Sequence, residues 1–208
     1  MGKYIVEFIG TFFLVLTIVC TVNGGVALAP LAIGSMLMVM VYAGGHISGS
    51  HYNPAVTLAV FMRGKCAASD VPGYLIAQLA GGAIAALIGT KVLGFTPAEA
   101  ATDMDMTKGI VAEMLGTFAL CWVVLQTATV KGTSGNSFYG ISIGFTVLAC
   151  AWALGSFSGG AFNPAVALGA LTGGMATAAS FGGIVVANLI AGALAAVMFK
   201  VVYDTSDD

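Results

Sequence analysis

Two asparagines, Asn53 and Asn163, stand 110 positions apart, and each opens the same triplet: Asn53-Pro54-Ala55 and Asn163-Pro164-Ala165. Asn is a strong helix N-cap, and Pro suits the first helical position because its missing N–H would be unpaired there. In that role the Asn side-chain oxygen accepts a backbone N–H of its own helix, leaving the amide NH2 to donate elsewhere. The chemistry this offers is hydrogen bonding to a neutral oxygen. Other reactive side chains are sparse. Cys20, Cys66, Cys121 and Cys150 lie far apart with no CxxC or metal-like spacing, and they read as small apolar fillers. His46 and His51 stand five residues apart on what reads as a loop, with no third ligand nearby, so no metal site is expected. No nucleophile–base set for an enzyme is visible either.

The elements that must position the two triplets follow from composition. The chain has 208 residues, 59% hydrophobic and only 8% charged, with a mean hydropathy of +1.00, whereas a soluble domain carries about 25% charged residues. Too few polar groups are present to cover a soluble sphere, and a disordered chain is excluded by the same imbalance. With a net charge of −2 and Arg63 as the single arginine, nucleic acid is not a partner. The chain belongs in a lipid bilayer.

A bilayer core takes about 20 apolar residues per helix. Six stretches qualify: Tyr4–Val22, Val26–Gly44, Tyr74–Leu93, Gly109–Val130, Phe138–Gly155 and Ala178–Val202. Asn53–Phe61 and Asn163–Leu171 are equally apolar but half as long, which predicts re-entrant half-helices buried in protein. Glu7 interrupts the first run and no cleavage site follows it, so this run reads as a retained helix. Lys3, Arg63, Lys65, Lys131 and Lys200 fall on one side, Lys91 and Lys108 on the other. That bias predicts cytoplasmic N- and C-termini. The longest polar linker is Thr96–Thr107, and Asp204, Asp207 and Asp208 read as a solvated tail.

The chain repeats. An offset of 110 aligns Ser48–Val56 with Ser158–Val166 and Ala77-Gln78 with Ala187-Asn188, and an offset of 106 aligns Glu7–Phe12 with Glu113–Phe118. Residues 1–208 thus read as one domain built from repeats at about 1–95 and 108–208. Each repeat has three spans, an odd number, so the second inserts upside down relative to the first. The expected fold is an all-α membrane protein of six transmembrane helices and two half-helices in an inverted 3+3 repeat. The half-helices enter from opposite faces, and their positive N-termini meet near the midplane with both Asn amides. Irregular backbone at that depth lines a cavity, and the result reads as a pore.

The two Asn-Pro-Ala boxes, the preceding Gly45-His46-Ile47-Ser48-Gly49 and the paired Glu-x-x-Gly-Thr motifs resemble the major intrinsic protein family, the aquaporins and glycerol facilitators, over the whole chain. The resemblance implies a homotetramer in the plasma (inner) membrane with one pore per protomer and no cofactor. Asn53 and Asn163 would donate to a passing oxygen. Backbone carbonyls of Gly49, Ser50 and His51, and of Gly159, Gly160 and Ala161, would form an acceptor ladder. Glu7 and Glu113 would brace the re-entrant loops, a proton relay being the other use of such costly carboxylates. His46 and His51 would line the cytoplasmic vestibule.

The resemblance also locates a constriction at Ile33, Ala151, Gly160 and Val166. Orthodox water channels place an aromatic at the first position, a His at the second and an Arg at the last. Glycerol facilitators keep the Arg and follow it with Asp, where this chain has Ala167. Some plant vacuolar-type members carry Val in place of that Arg, as this chain does with Val166, and pass urea or ammonia besides water. An apolar, uncharged, wide constriction is expected, passing water and small neutral solutes such as glycerol, urea and ammonia while excluding ions. The alternatives are an orthodox water-selective channel and a coupled secondary transporter. The transporter would want titratable groups where the Asn amides stand.

Overall fold

The computed structural model describes residues 1–96 and 104–203; most of the Thr96–Thr107 linker and the Asp204, Asp207 and Asp208 tail lie outside them. Eight α-helices follow one another: α1 (Gly2–Asn23), α2 (Ala29–Ser48), α3 (Pro54–Met62), α4 (Val71–Leu87, extended by a wider π-helical turn over Ile88–Val92), α5 (Met106–Ala128), α6 (Tyr139–Ser158), α7 (Pro164–Thr172) and α8 (Ala178–Val202). Six of them, α1, α2, α4, α5, α6 and α8, are long and apolar enough to cross a membrane. The chain is an integral membrane protein. The nine-residue α3 and α7 span only about 14 Å at 1.5 Å per residue, half of what a crossing needs.

Helix ends depart from the hydropathy reading where glycine, not polarity, terminates them. α2 runs through Gly44-Gly45-His46 and stops at Gly49, whose φ of 83° is left-handed; α6 stops the same way at Gly159, φ 87°. His46 therefore lies on the last turn of α2, exposed, and not on a loop. A glycine pair inside an apolar run does not end a helix when its neighbours pack closely enough to need it.

α1 packs on α4 and α5 on α8, and α2 crosses α6 between the halves. The half-helices pack mainly on the opposite repeat, α3 on α8 and α7 on α4. Close approach makes this possible. A Cβ on Gly82 would lie 2.5 Å from the Ala165 carbonyl oxygen, and one on Gly192 would lie 2.6 Å from that of Ala55. These glycines are where each triplet is clasped by the other half, a use of small residues common to membrane helix contacts. Trp152 is 52% exposed on the outer surface, while Trp122 stacks on Phe118 and meets Phe199 edge-on. Lys3 Nζ bonds Asp70 Oδ2 at 2.5 Å and Tyr4 donates to Asp70 Oδ1 at 3.1 Å, tying the start of α1 to the start of α4. Arg63, at the end of α3, lies over the Phe199 ring at 4.7 Å.

Candidate functional site

The loops that lead into α3 and α7 are organised by two buried carboxylates. Glu7 and Glu113 have no exposed surface. Glu7 Oε1 accepts from Ser48 Oγ (2.7 Å) and His51 N (2.9 Å), and Oε2 accepts from Tyr52 N (2.6 Å) and Gln78 Nε2 (2.8 Å). Glu113 repeats the pattern with Ser158 Oγ (2.7 Å), Ala161 N (2.8 Å), Phe162 N (2.7 Å) and Asn188 Nδ2 (2.8 Å). A buried carboxylate is costly unless its lone pairs are filled, and four donors fill each of these. Gln78 and Asn188 spend both their N–H groups here, the second going to Thr57 Oγ1 and Thr117 Oγ1 at 2.9 Å. Their oxygens stay without a partner. The two amides are present for their donors.

These bonds hold a backbone that L-residues avoid. Ser50, Tyr52 and Phe162 have φ of 52°, 49° and 48°, the positive-φ non-glycine positions among the described residues. Each costs about 1–2 kcal/mol. The strain turns Tyr52 and Phe162 onto α1 and α5, where their rings occupy the space a side chain at Gly10 or Gly116 would need. The Glu-x-x-Gly-Thr motif therefore joins a brace to the slot for the aromatic ring that the braced loop inserts.

Asn53 and Asn163 are N-caps as expected: Asn53 Oδ1 accepts from Ala55 N at 2.8 Å and Asn163 Oδ1 from Ala165 N at 2.9 Å. Their amide nitrogens are not wholly free, however. Asn53 Nδ2 donates to Phe162 O and Asn163 Nδ2 to Tyr52 O, both at 2.9 Å. The two half-helix starts are laced together, and one N–H per Asn is left for an occupant.

Both Asn line a cavity of about 410 Å³ that also takes in Ile33, Ala151, Gly160 and Val166. Gly159, Gly160 and Ala161 line it, and among the described residues no Asp, Glu, Lys or Arg does. Leu14, Ile143 and Val124 are among its apolar wall residues. Cys150 is absent from the lining while its neighbour Ala151 is present. A second cavity of about 250 Å³ is lined by Gly49, His51, Cys66, Asp70 and Tyr74 among others. Ser50 lines neither; its hydroxyl donates to Tyr52 Oη at 2.8 Å. His46 lines neither, and the described residues hold no group of three or more His, Cys, Asp or Glu suited to a metal. Sequence reasoning overlooked Gln78 and Asn188 as brace donors, although the repeat aligns them as polar residues inside apolar spans. It also filed Cys66 with the apolar fillers, although that cysteine alone sits outside an apolar run.

The comparisons agree with this architecture. In solved structures the fold matches the aquaglyceroporin from Plasmodium falciparum with a TM-score of 0.78, covering 95% of this chain and 94% of that one at 18% identity. Aquaporin NIP1-1 of Zea mays is 36% identical over 181 residues, 80% of this chain and 63% of that protein. The chain thus spans a little under two thirds of such plant relatives. The glycerol uptake facilitator protein-like 6 of Lactiplantibacillus plantarum is 36% identical over 181 residues, covering 81% of this chain and 82% of that one. Aquaporin AqpM of Methanothermobacter thermautotrophicus is 34% identical over 201 residues, 80% of this chain and 81% of its own. The family model described as major intrinsic protein matches residues 1–199. With its braced loops, its laced triplets and this match along nearly its whole length, the chain belongs to the major intrinsic protein family.

Proposed function

We propose that the protein is a passive transmembrane channel, not an enzyme, for water and small uncharged solutes such as glycerol, urea and ammonia, with ions excluded. The observation that carries this reading is the cavity of about 410 Å³, which is mostly apolar, is lined by no Asp, Glu, Lys or Arg among the described residues, and takes in both Asn53 and Asn163. A solute oxygen crossing it meets the two remaining Asn N–H groups beside the positive ends of α3 and α7. A cation meets the same positive ends, and an ion of either sign loses hydration against an apolar wall. Ile33, Ala151, Gly160 and Val166 form the selectivity ring in this reading. The carbonyls of Gly49, His51, Gly159, Gly160 and Ala161 are the acceptors that keep a permeating solute hydrogen-bonded, while Ser50, which lines neither cavity, leaves the expected ladder. Glu7 and Glu113, with every lone-pair direction engaged, act as loop braces, which argues against a proton relay.

The Lys and Arg bias supports cytoplasmic termini in a plasma (inner) membrane, with the smaller cavity opening to the cytoplasm. A homotetramer of four separate pores is the assembly proposed. The test is stopped-flow light scattering of proteoliposomes. Protein-dependent water flux with no protein-dependent K⁺ leak is expected. Flux that depends on an imposed ion or pH gradient would favour coupled transport instead.

A further inference from the structure

Among the described residues, His51 is the one that lines both the larger cavity and the smaller one. The four ring residues, by contrast, all lie along the wall of the larger cavity without dividing it. We propose that the constriction setting the solute size limit is a collar at His51, displaced from the ring of Ile33, Ala151, Gly160 and Val166 toward the other end of the pore. The proposal rests on the channel reading above.

His51 is built to hold such a position. It is only 8% exposed. Its backbone N–H is fixed on Glu7, and its Nδ1 lies 3.1 Å from Thr57 Oγ1. That hydroxyl donates to Asn53 O at 3.1 Å and accepts from Gln78 Nε2. With its single proton spent, it accepts the ring bond, so Nδ1 carries the hydrogen. Tilted packing on the Tyr74 ring, centroids 4.9 Å apart, removes the remaining freedom. A neutral His51, two residues before Asn53 and its amide donor, is then left with a bare Nε2 acceptor on the side of Gly49, which lines the smaller cavity. The collar passes solutes that can donate to Nε2 and soon afterwards accept from an Asn amide. Water, urea and small polyols do both.

The second repeat shows that the side chain is dispensable to the scaffold. Ala161 occupies the aligned position, its N–H still on Glu113 at 2.8 Å, and the cavity there stays open. His51→Ala should therefore assemble normally while losing the collar.

The experiment compares water, glycerol and erythritol fluxes in proteoliposomes of wild type, His51→Asn, His51→Ala and Val166→Ala. Erythritol flux relative to water should rise in the order wild type, His51→Asn, His51→Ala, by about tenfold at the end of the series, and by less in Val166→Ala. A larger rise in Val166→Ala than in His51→Ala would overturn the proposal, as would a wild-type size limit kept in His51→Ala. A Val166→Ala rise of that size alone overturns it even if the His51 variants fail to assemble. Wild-type vesicles with no protein-dependent water flux would instead overturn the channel reading, and the collar with it.

Discussion

The loop entering α3 and the loop entering α7 are held by matching bonds, yet they shape opposite apertures. Each is braced by one carboxylate through a serine hydroxyl, two backbone N–H groups and an amide, with paired distances agreeing to 0.1 Å. Each triplet is laced to the other and clasped by a glycine of the other half. Only the side chains riding on this frame differ: Ser50, His51, Tyr52 and Thr57 in the first, Gly160, Ala161, Phe162 and Ala167 in the second. The first set carries an imidazole and three hydroxyls beyond what the second has, and its loop ends at a collar. The second carries small residues and leaves an open cavity. The frame sets where a solute passes, and its side chains set what passes.

If the frame is symmetric, breaking either brace should cost the same. Glu7→Gln or Glu113→Gln puts an amide N–H against two donors, losing roughly 3 kcal/mol or more. Thermal unfolding of the purified protein should show similar, large losses for both. One tolerated substitution would mean that the two loops are not equivalently held.

The lacing is the next test of equivalence. Asn53→Asp or Asn163→Asp sets a negative charge between the two helix N-termini and removes one cross-loop donor. A K⁺ leak at least about tenfold above wild type is expected from either, read by a potential-sensitive dye in K⁺-loaded vesicles. Water flux retained without any leak would remove the electrostatic role given to α3 and α7.

The smallest effect concerns a place where the halves differ. α8 starts with a capping box between Thr177 and Ser180, whereas α4 starts at Asp70, tied to Lys3 and Tyr4. The Lys3 ammonium holds the Asp70 carboxyl below its usual range. A depressed folded-state value stabilises above the unfolded carboxylate pKa, near 4, and is lost as pH falls through the lower folded value. The pair is solvent-screened, so Asp70→Asn should lower the thermal midpoint slightly at neutral pH and merge with wild type in acid. A difference that grows on acidification would contradict this assignment.

The sequence discloses the frame because its demands are local and repeated. Asn-Pro-Ala encodes a cap and a first turn, and Glu-x-x-Gly-Thr recurs at a near-constant offset. Hydropathy then delivers six spans and two half-spans. Relations between chain segments far apart stayed hidden. That each Asn would spend an N–H on the carbonyl before the other triplet depends on where two loops meet, which no spacing states. The helical path through Gly44 and Gly45 depends on packing against Tyr52 and Tyr139, not on local polarity. His51 reads as one more polar loop residue until the two cavities it lines are seen.

The central claim is that a common frame carries a wide, uncharged ring in this chain, and the most direct measurement is the ratio of glycerol or urea flux to water flux in proteoliposomes of equal protein content. Wild type should pass both solutes. Val166→Arg should reduce their flux at least about tenfold more than that of water, by placing a fixed cation and several donors in the ring. Ala151→His added to it should sharpen the difference. A wild type that already excludes glycerol and urea while conducting water would contradict the account.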